Sequence, residues 1–427
     1  MPNITVIKNR ISASVPFIGT PKLSQVLADN GYKVPTACNG KGVCGKCKVF
    51  VNGSLELACQ YELSNDDDGI TVEIPDEEEM LEIELQGDGE VVFADPMPGE
   101  IGTAIDIGTT TVAVRNYDLV NGKLIDEKGF MNPQGKIAAD VMGRITYAIS
   151  EPCEEHVAEL QEMILEAIEK ALEESEINPD SMVITGNTTM LYLLSGMSPK
   201  SLSAAPFEAD CKFDSRLNFG QTLTYLPPCM HAFVGADIAC GVMASGMCES
   251  DDVSLLADIG TNGELALWKD GKLFVTSTAA GPAFEIAGME GSDIIDEIAH
   301  ALDNDNLQMS ENVAAVQLAK AAIAAGIEVL LSKTGTTHDD VKKLYIAGGF
   351  GTHLNIDSAV RIGLIPEDFK AKTKVIGNVS VVGASQLLAD MEKIDVIRTI
   401  ASKSEHVNLG GDPVFNDMYI ENMMFPE

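Results

Sequence analysis

The sequence is poor in positive charge. Its 427 residues include 29 Lys and Arg against 65 Asp and Glu, which gives a formal net charge of −36. A surface this acidic repels phosphate backbones, so the composition predicts no nucleic-acid partner. Aromatic residues make up only 5%, but apolar residues reach 45%, which is enough to build large cores and excludes general disorder. The length predicts roughly two to four domains.

Long uninterrupted hydrophobic runs are also missing. The opening MPNITVIKNR lacks the apolar core of a secretion signal. The most apolar stretch, 313–331, contains Gln317, Lys320 and Glu328, which favours a buried helix over a membrane span. We therefore expect no membrane association. Nine cysteines without an export signal predict a cytoplasmic protein whose thiols bind metal or carry out chemistry.

Charge and composition divide the chain into segments. Residues 1–75 balance seven bases with seven acids and predict a β-rich domain with one short helix over 21–28. Residues 76–100 hold ten acids, no base, and several Pro and Gly, which predicts a mobile acidic linker. The alternation of Leu81, Ile83 and Leu85 leaves one docked strand as the alternative. From residue 101 onward, strands and amphipathic helices alternate, as in a layered α/β fold.

Four cysteines of the first domain form the pattern C-x5-C-x2-C-x11-C: Cys38, Cys44, Cys47 and Cys59. Three of them share a glycine-rich loop, in which backbone N–H groups can turn toward cluster sulfurs, and the fourth arrives later. This predicts a [2Fe–2S] cluster. Zinc is the alternative, although zinc sites more often show two separated cysteine pairs, and free thiols are a third reading.

Two further features of this loop have a functional and a structural interpretation. GKGVCGKC comes within one residue of a phosphate-loop pattern, but Cys47 replaces the required hydroxyl and no helix pattern follows, so we interpret it as coincidence. Lys41, Lys46 and Lys48 either form a solvated rim or a positive collar that docks an acidic electron donor.

One motif occurs twice in the rest of the chain. DIGTTT, Asp106–Thr111, and DIGTNG, Asp258–Gly263, each follow an apolar strand, and their aspartates are 152 residues apart. Such turns direct backbone N–H groups and hydroxyls toward a phosphate, and an aspartate at the strand end can hold Mg²⁺ and orient water. The predicted phosphate-binding residues are Gly108, Thr109, Thr110, Thr111, Gly260, Thr261, Asn262 and Gly263, with Asp106 and Asp258 as catalytic residues.

A third glycine-rich strand end completes the predicted nucleotide site. In YIAGGFG, Gly348, Gly349 and Phe350 are expected to lie against adenosine, and Gly281 is expected in a further phosphate-side loop. Asp237 in GADIACG is expected on a helix between the halves, where it faces either the metal or solvent. GxGxxG is absent, which disfavours a dinucleotide-binding fold.

Duplicated Asp-Gly-Thr turns followed by a glycine-rich loop resemble the superfamily of acetate and sugar kinases, heat-shock chaperones and actin. Within it, ITGNTTMLYLLSGM, LLADIGTNGELALW, QLAKAAIAAGIEVLL and IAGGFG resemble the ATP-dependent reductive activators of corrinoid-dependent enzymes, over about residues 101–390. The resemblance implies a multidomain chain: a β-grasp, α+β ferredoxin-like domain (1–75), the linker (76–100), and a duplicated α/β actin-like ATPase. The ribonuclease H-like halves of that ATPase would span 101–250 and 251–427.

The resemblance also implies the function. A [2Fe–2S] cluster, ATP and Mg²⁺ would serve to reduce Co(II) to Co(I) in the corrinoid protein of a methyltransferase system, with electrons from a low-potential donor. It allows a homodimer. Long family members carry an additional middle domain between linker and nucleotide fold, a position where this chain is short.

The sequence allows other functions as well. One is a small-molecule kinase of the same superfamily. Another is an ATP-driven activator of a radical dehydratase, which needs cluster ligands within the nucleotide domain, for which Cys229, Cys240 and Cys248 are the candidates. Most of the five cysteines outside the first domain are expected to be buried thiols: Cys153, Cys211, Cys229, Cys240 and Cys248. A non-enzymatic actin-like filament protein is disfavoured by the ferredoxin-like module.

Overall fold

The N-terminal part of the chain is a small mixed sheet with one helix. A computed structural model describes residues 2–8, 11–32, 34, 47–52, 54–64, 67, 69–74, 85–281, 291–349 and 354–426. The elements of the first part are β1 (Asn3–Lys8), β2 (Ile11–Pro16), α1 (Leu23–Asp29), β3 (Lys48–Val51), β4 (Ser54–Leu57) and β5 (Thr71–Glu73). The strand order is β2-β1-β5-β3-β4, with β1 and β5 parallel.

Local sequence explains this part of the fold. Alternating Ile4 and Val6 point from β1 into the core, where they meet Leu23 and Leu27 of α1. The helix ends at Asn30, and Gly31 follows with φ +84°, a conformation that suits glycine. The short helix predicted over 21–28 is confirmed to within two residues.

The middle of the chain forms the first half of a duplicated α/β unit. Its elements are β6 (Ile101–Ile107), β7 (Thr111–Asp118), β8 (Lys123–Met131), α2 (Val141–Ile149), α3 (Cys153–Glu174), β9 (Ser181–Gly186), α4 (Thr188–Leu194), β10 (Ser215–Phe219), β11 (Thr222–Leu226) and α5 (Ala236–Ser245). Short 3-10 helices lie at Pro133–Lys136, Lys200–Leu202 and Met247–Glu249.

The C-terminal part forms the second half. Its elements are β12 (Ser254–Ile259), β13 (Gly263–Lys269), β14 (Lys272–Thr278), α6 (Gly291–Asp303), α7 (Glu311–Thr334), β15 (Lys343–Ala347), α8 (Ile356–Arg361), β16 (Thr373–Gly377), α9 (Val379–Ala389), α10 (Lys393–Ser402), β17 (Ser404–His406) and α11 (Pro413–Glu421). A 3-10 helix lies at Glu367–Lys372.

The two halves repeat one topology. The first sheet has the order β8-β7-β6-β9-β11-β10, and the second has β17-β14-β13-β12-β15-β16. In the first half, β6, β7 and β8 pair antiparallel in chain order, and β9 then pairs in parallel with β6. In the second half, β12, β13 and β14 pair antiparallel in the same way, and β15 pairs in parallel with β12. The duplicated actin-like α/β fold predicted from the recurring motif is therefore confirmed.

Helices α5 and α9 pack between the two sheets and join the halves. Their approach is so close that a Cβ atom on Gly383 of α9 would lie 2.3 Å from the carbonyl oxygen of Cys240 on α5. One hydrophobic core contains residues of both sheets and both helices, among them Ala104, Val242, Leu256 and Leu387. Any movement of one half against the other must therefore be accommodated at this helix pair.

Residues 85–100 are docked, which corrects the prediction of a mobile linker for this stretch. The N–H of Asp88 donates to the carbonyl of Ile376 at 2.8 Å, and Met97 is 2% exposed. The extended Pro- and Gly-containing backbone finds partners along β16 and the end of α9, and Met97 supplies an apolar anchor. Residues 75–84, including Leu81 and Ile83, lie outside the described residues.

Helix α7 contains the apolar stretch singled out in the sequence. Among the described residues, its segment Asn312–Thr334 is the one helix long and apolar enough to cross a membrane, and 67% of its apolar window is buried inside the protein. Ile323 and Gly326 pack on the second sheet, where a Cβ atom on Gly326 would lie 2.6 Å from Leu265. This contact explains the small residues in the helix.

Candidate nucleotide cleft and iron–sulfur site

The first Gly/Thr turn connects β6 to β7. The N–H of Gly108 donates to the carbonyl of Thr111 at 2.9 Å, and a Cβ atom on Gly108 would lie 2.8 Å from that oxygen, so only glycine fits. The side-chain hydroxyl of Thr109 accepts a hydrogen bond from Nδ2 of Asn187 at 3.1 Å. The turn is thus tight and is stabilised by a hydrogen bond in its backbone and another at the Thr109 side chain.

The second turn connects β12 to β13 in the equivalent place. The N–H of Gly260 donates to the carbonyl of Asn262 at 2.9 Å. Gly263 starts β13, and a Cβ atom there would lie 2.9 Å from Ile323 of α7. Gly263 is therefore required for helix packing, whatever further contact it makes with a ligand.

The structure brings the two turns together across the cleft between the halves. The hydroxyl oxygens of Thr110 and Thr261 lie 3.2 Å apart, although the residues are 151 positions apart in the chain. The motifs were predicted to form one site because they recur in phase. Their contact places the two turns side by side, while their role in phosphate binding stays a prediction.

Four acidic side chains form an electrostatic cluster at this cleft. Asp106 and Asp258 end β6 and β12, Asp237 is in the first turn of α5, and Glu264 pairs with Asp258 across the β12–β13 ladder. Burial, the largest cause, raises the pKa of Asp237 to about 6. Burial and the charge of Asp237 raise the pKa of Asp258 to about 7.

Asp106 and Glu264 show the strongest effect. Burial is the main cause, and the negative charges of Asp237 and Asp258 add to it, so the pKa of each of the two carboxyl groups is well above its usual value. The side chain of Asn378 hydrogen bonds to Asp106 and opposes this shift. An acidic cluster of this kind favours a bound cation over free carboxylates.

The cluster fits Mg²⁺ held partly through water and phosphate. Within the described residues no three His, Cys, Asp or Glu side chains are placed to bind a metal directly. Mg²⁺ commonly uses one or two carboxylates and takes its other ligands from water and substrate phosphates. Oδ1 of Asp106 is buried without a hydrogen-bonding partner among the residues that the structure covers, as expected of an oxygen reserved for such a ligand.

The glycine-rich strand end after β15 meets the second turn. Gly348 has φ +93°, and a Cβ atom there would lie 2.6 Å from Oδ1 of Asp258. Gly349 is exposed beside it, and Phe350 lies outside the described residues. Gly281 has φ +74° shortly after β14, and its neighbour Pro282 is likewise outside. Adenosine binding here stays a prediction.

Several residues that support the first turn were missed in the sequence. Nδ2 of Asn132 donates to the carbonyl of Gly108 at 2.8 Å. The fully buried Arg144 donates from Nη2 to the carbonyl of Thr109 at 2.5 Å and from Nε to that of Ala138 at 3.0 Å. No local pattern distinguishes a buried arginine of an amphipathic helix from a solvated one, so only the tertiary contacts identify it.

Asp237, Glu264 and Asn378 also belong to the cleft. For Asp237 the sequence left a metal-facing and a solvent-facing position open, and the structure selects the cleft. Glu264 and Asn378 were not predicted. Glu264 follows the DIGTNG turn directly, and an acid at the start of an otherwise apolar strand is the signal that could have identified it.

The two described cysteines of the predicted cluster site are buried and accept hydrogen bonds at their sulfur atoms. Cys47 and Cys59 are 1% and 2% exposed, and the N–H of Cys59 donates to Sγ of Cys47 at 3.4 Å. Nε2 of Gln60 donates to Sγ of Cys59 at 3.4 Å. Such N–H···S contacts stabilise thiolate ligands. Cys38 and Cys44 lie outside the described residues.

Lys48 does not belong to a positive collar around the cluster. It is 6% exposed, burial lowers its pKa, and its Nζ atom is buried. The collar hypothesis is therefore wrong for Lys48, because the side chain and its Nζ atom are buried instead of facing solvent. Lys41 and Lys46 lie outside the described residues.

The cysteines of the ATPase part are not arranged as a second cluster. Burial raises the pKa of Cys229 to about 12 and that of Cys248 to about 12, which keeps both thiols protonated. Cys229 packs in the outer core of the first half, whereas Cys240 belongs to the core between the sheets. Of the five cysteines in this part, Cys229 and Cys240 are buried as predicted. Cys153, Cys211 and Cys248 are only partly buried, so the expectation of buried thiols is wrong for these three.

Comparison with known families covers nearly the whole chain. Residues 8–71 match the 2Fe-2S iron-sulfur cluster binding domain. Residues 101–250 match the RACo middle region, and residues 252–293 and 294–427 match the C-terminal domain of RACo, the ASKHA domain. The chain belongs to the RACo family. It is an enzyme of the kind that joins an iron–sulfur domain to an ATP-binding ASKHA domain.

Relatives of known function extend over most of the chain. The corrinoid activation enzyme RamQ of Eubacterium limosum is 27% identical over 571 positions, covering 94% of this chain and 96% of RamQ. Because 571 exceeds the chain length of 427, RamQ carries segments that are absent here. The [Co(II) methylated amine-specific corrinoid protein] reductase of Methanosarcina barkeri is 22% identical, covering 75% of this chain and 76% of that protein.

A solved structure supports the fold assignment. The chain is similar to the reductive activator for corrinoid,iron-sulfur protein with a TM-score of 0.69 and 22% sequence identity, over 100% of this chain and 99% of the other. The match to the RACo middle region over 101–250 shows that this RACo-family chain retains the middle region, in the form of the first ATPase half.

Proposed function

We propose that this protein uses ATP to reduce the Co(II) corrinoid of a methyltransferase system to Co(I), with the electron passing through a [2Fe–2S] cluster. One observation carries the proposal. A single chain combines a cluster-binding cysteine module with a cleft in which two duplicated Gly/Thr turns meet, at 3.2 Å between Thr110 and Thr261. The corrinoid activation enzyme RamQ and the Co(II) corrinoid reductase support it.

The energetics of the reduction explain why the protein would need both a cluster and ATP. When bound, the cluster supplies one electron at a time. If Co(II) is harder to reduce than the cluster, each ~59 mV of mismatch lowers the Co(I) fraction about tenfold. ATP can offset this only by binding one state of the complex better than another, or by making the step irreversible through hydrolysis.

The cleft residues then have defined roles. Backbone N–H groups of the two turns hold the phosphates, while Asp106 and Asp258 hold Mg²⁺, partly through water, and orient the attacking water. Asp237 and Asp258, whose pKa values are raised to about 6 and about 7, would ionise more readily at neutral pH beside a bound Mg²⁺, which would supply the opposing charge. Gly348 and Gly349 face adenosine.

Partners and location are part of the proposal. The protein docks a corrinoid protein and receives electrons from a low-potential donor, in the cytoplasm and without nucleic acid or membrane. Homodimerisation is compatible with the fold. Closing of the halves around ATP is transmitted to the docked corrinoid protein through α5 and α9, because this helix pair lies between the sheets.

The decisive experiment follows cobalt directly. The purified full-length chain is mixed with a Co(II) corrinoid protein, a low-potential reductant and Mg-ATP, and the Co(I) absorption band is recorded. We expect Co(I) to accumulate with ATP and not with a non-hydrolysable analogue. The Asp258→Asn variant should lose the ATP effect, while an exposed control, Asp251→Asn, should keep it. Equal Co(I) with and without ATP would contradict the proposal.

A kinase function is tested in the same sample. A small-molecule kinase transfers the terminal phosphoryl group to an added sugar or carboxylate, whereas the proposed activity releases free phosphate. Quantifying both products distinguishes the two.

A further inference from the structure

The backbone that leaves the iron–sulfur module touches the nucleotide cleft. Residues 85–90 cross from the first half to the second. Two side chains of the first half bind this segment. The guanidinium of Arg115 donates to the carbonyl of Leu85, and the carboxylate Oε1 of Glu127 accepts from Nε2 of Gln86 at 2.7 Å. On the other side, Nε2 of Gln386 on α9 donates to the carbonyl of Glu90 at 3.0 Å.

The same segment pairs with the turn between β16 and α9. The N–H of Asn378 donates to the carbonyl of Gln86 at 2.9 Å, and the N–H of Asp88 donates to that of Ile376 at 2.8 Å. Gly87 and Gly377 form an antiparallel bridge. A Cβ atom on Gly87 would lie 2.4 Å from the carbonyl oxygen of Asn378, so the contact admits no side chain at that position.

The turn that receives this segment reaches Asp106 directly and Asp258 through Gly348. The side chain of Asn378 hydrogen bonds to Asp106, and its Oδ1 accepts from the N–H of Val381. The carbonyl of Gly377 accepts from the N–H of Gly348 at 3.1 Å, and Gly348 lies against the carboxylate of Asp258. One residue pair, Gly377 and Asn378, therefore stands between the linker and the two aspartates.

We infer that Gln86 and Gly87 are positioning residues of the nucleotide site, which hold Asn378 against Asp106 and thereby couple docking of the linker to nucleotide binding. This inference rests on the proposed ATP site. Because residues 85–90 contact both halves, they fit only one relative position of the halves. A nucleotide that favours this position tightens the linker, and by reciprocity a docked linker tightens the nucleotide.

The coupling gives the protein a physical route from ATP to the iron–sulfur module. Residues 85–90, the end of the tether that connects the iron–sulfur module to the ATPase, are docked or undocked depending on whether nucleotide is bound. No further element is needed between them, since residues 86–88 contact Ile376, Gly377 and Asn378 directly and Asn378 hydrogen bonds to Asp106.

The test compares hydrogen exchange of the full-length chain with and without Mg-ADP, in the absence of any corrinoid protein. We expect bound nucleotide to lower the hydrogen-exchange rates of the Asp88 and Asn378 amides by about fivefold or more. A change of this size lies within the usual range of coupling between two sites. Calorimetry in the same buffer reports nucleotide binding. Bound nucleotide with unchanged exchange at both amides would overturn the coupling and leave the proposed function intact, whereas absence of binding would overturn both.

Two matched linker variants complete the test. Gly87→Ala should raise the Kd for ADP about fivefold or more and abolish the nucleotide effect on exchange. Gly99→Ala is the control, because Gly99 is also tightly packed, with its Cβ position 2.2 Å from Cβ of Asp180, but its contact is at the opposite end of β6. The control should lose stability without a change in Kd. An equal rise in Kd for both variants would show a general packing effect and overturn the assignment.

Discussion

At the scale of single residues, the cleft combines partly buried acids with a fully buried arginine. Asp237 and Asp258 have pKa values raised to about 6 and about 7, with burial as the first cause. The unfolded chain releases these protons at a lower pH than the folded chain does. The free energy of unfolding therefore falls as pH rises through this window, because the folded state holds the extra protons.

We expect the nucleotide-free protein to lose on the order of 4 kcal/mol of unfolding free energy between about pH 5 and about pH 7 through these groups, about one pH unit from Asp237 and two from Asp258. Mg-ADP should restore much of the loss at the higher pH. Thermal unfolding measured across this range tests the expectation. Asp258→Asn should flatten the curve, whereas Asp251→Asn, an exposed acid, should not. Parallel curves for wild type and Asp258→Asn would contradict it.

Arg144 supports the first turn from beneath. Its guanidinium donates to the carbonyls of Thr109 and Ala138 and to Oε1 of Gln134, the last at 3.2 Å. Replacing it by Met leaves these buried acceptors without their donor, at a cost of about 1–3 kcal/mol. Chemical denaturation should show this loss, and the KM for ATP should rise. Arg216→Met, on an exposed position of β10, should change stability by less than about 0.5 kcal/mol.

At the scale of elements, the α5–α9 pair is the joint between the halves. A methyl group at Gly383 meets the backbone of Cys240 at 2.3 Å and forces the helices apart. Gly383→Ala should cost about 1–3 kcal/mol and lower ATPase activity, because the turns bearing Thr110 and Thr261 are carried by the sheets that these helices separate.

Gly135→Ala is the matched control for the helix joint. Its Cβ position has its nearest neighbour, Arg144, at an ordinary 3.9 Å. Denaturation and ATPase measurements on both variants separate helix packing from the general effect of adding a methyl group. If Gly383→Ala retained full stability, the joint would have to be more deformable than this structure indicates.

At the scale of the whole molecule, the iron–sulfur module and the ATPase are separable in chemistry and linked in function. Cys59→Ser should abolish the visible absorption of the cluster and Co(II) reduction, while ATPase activity remains. Cys153→Ser, at the start of α3, should leave both unchanged. Loss of ATPase activity in Cys59→Ser would show that the modules are not independent.

Length of the tether is a second property of the whole molecule. Removing residues 77–82, an acid-rich stretch before the docked segment, should slow electron delivery to the corrinoid protein and spare ATPase activity. Extending the deletion through residue 90 should impair both, because it removes the contacts to Gly377 and Asn378. Stopped-flow reduction and phosphate release measured together test this difference.

Patterns that are local in sequence were sufficient to predict the modules. Cysteine spacing and glycine content predict the cluster, and the recurrence of Asp-Ile-Gly-Thr predicts two equivalent halves, because strand-turn-strand geometry depends on neighbouring residues. The confirmed strands, helices and matched domains reflect this.

Tertiary structure decided which residues complete the site. Asn378 meets Asp106, Arg144 meets Thr109, and Glu264 joins the acid cluster through contacts that no local spacing encodes. Gly87 lies against Gly377, 290 positions away, and this contact docks part of an acidic linker next to Asn378. Composition predicted a solvated segment because charge and glycine disfavour burial, but backbone hydrogen bonds to β16 and α9 are independent of side-chain type.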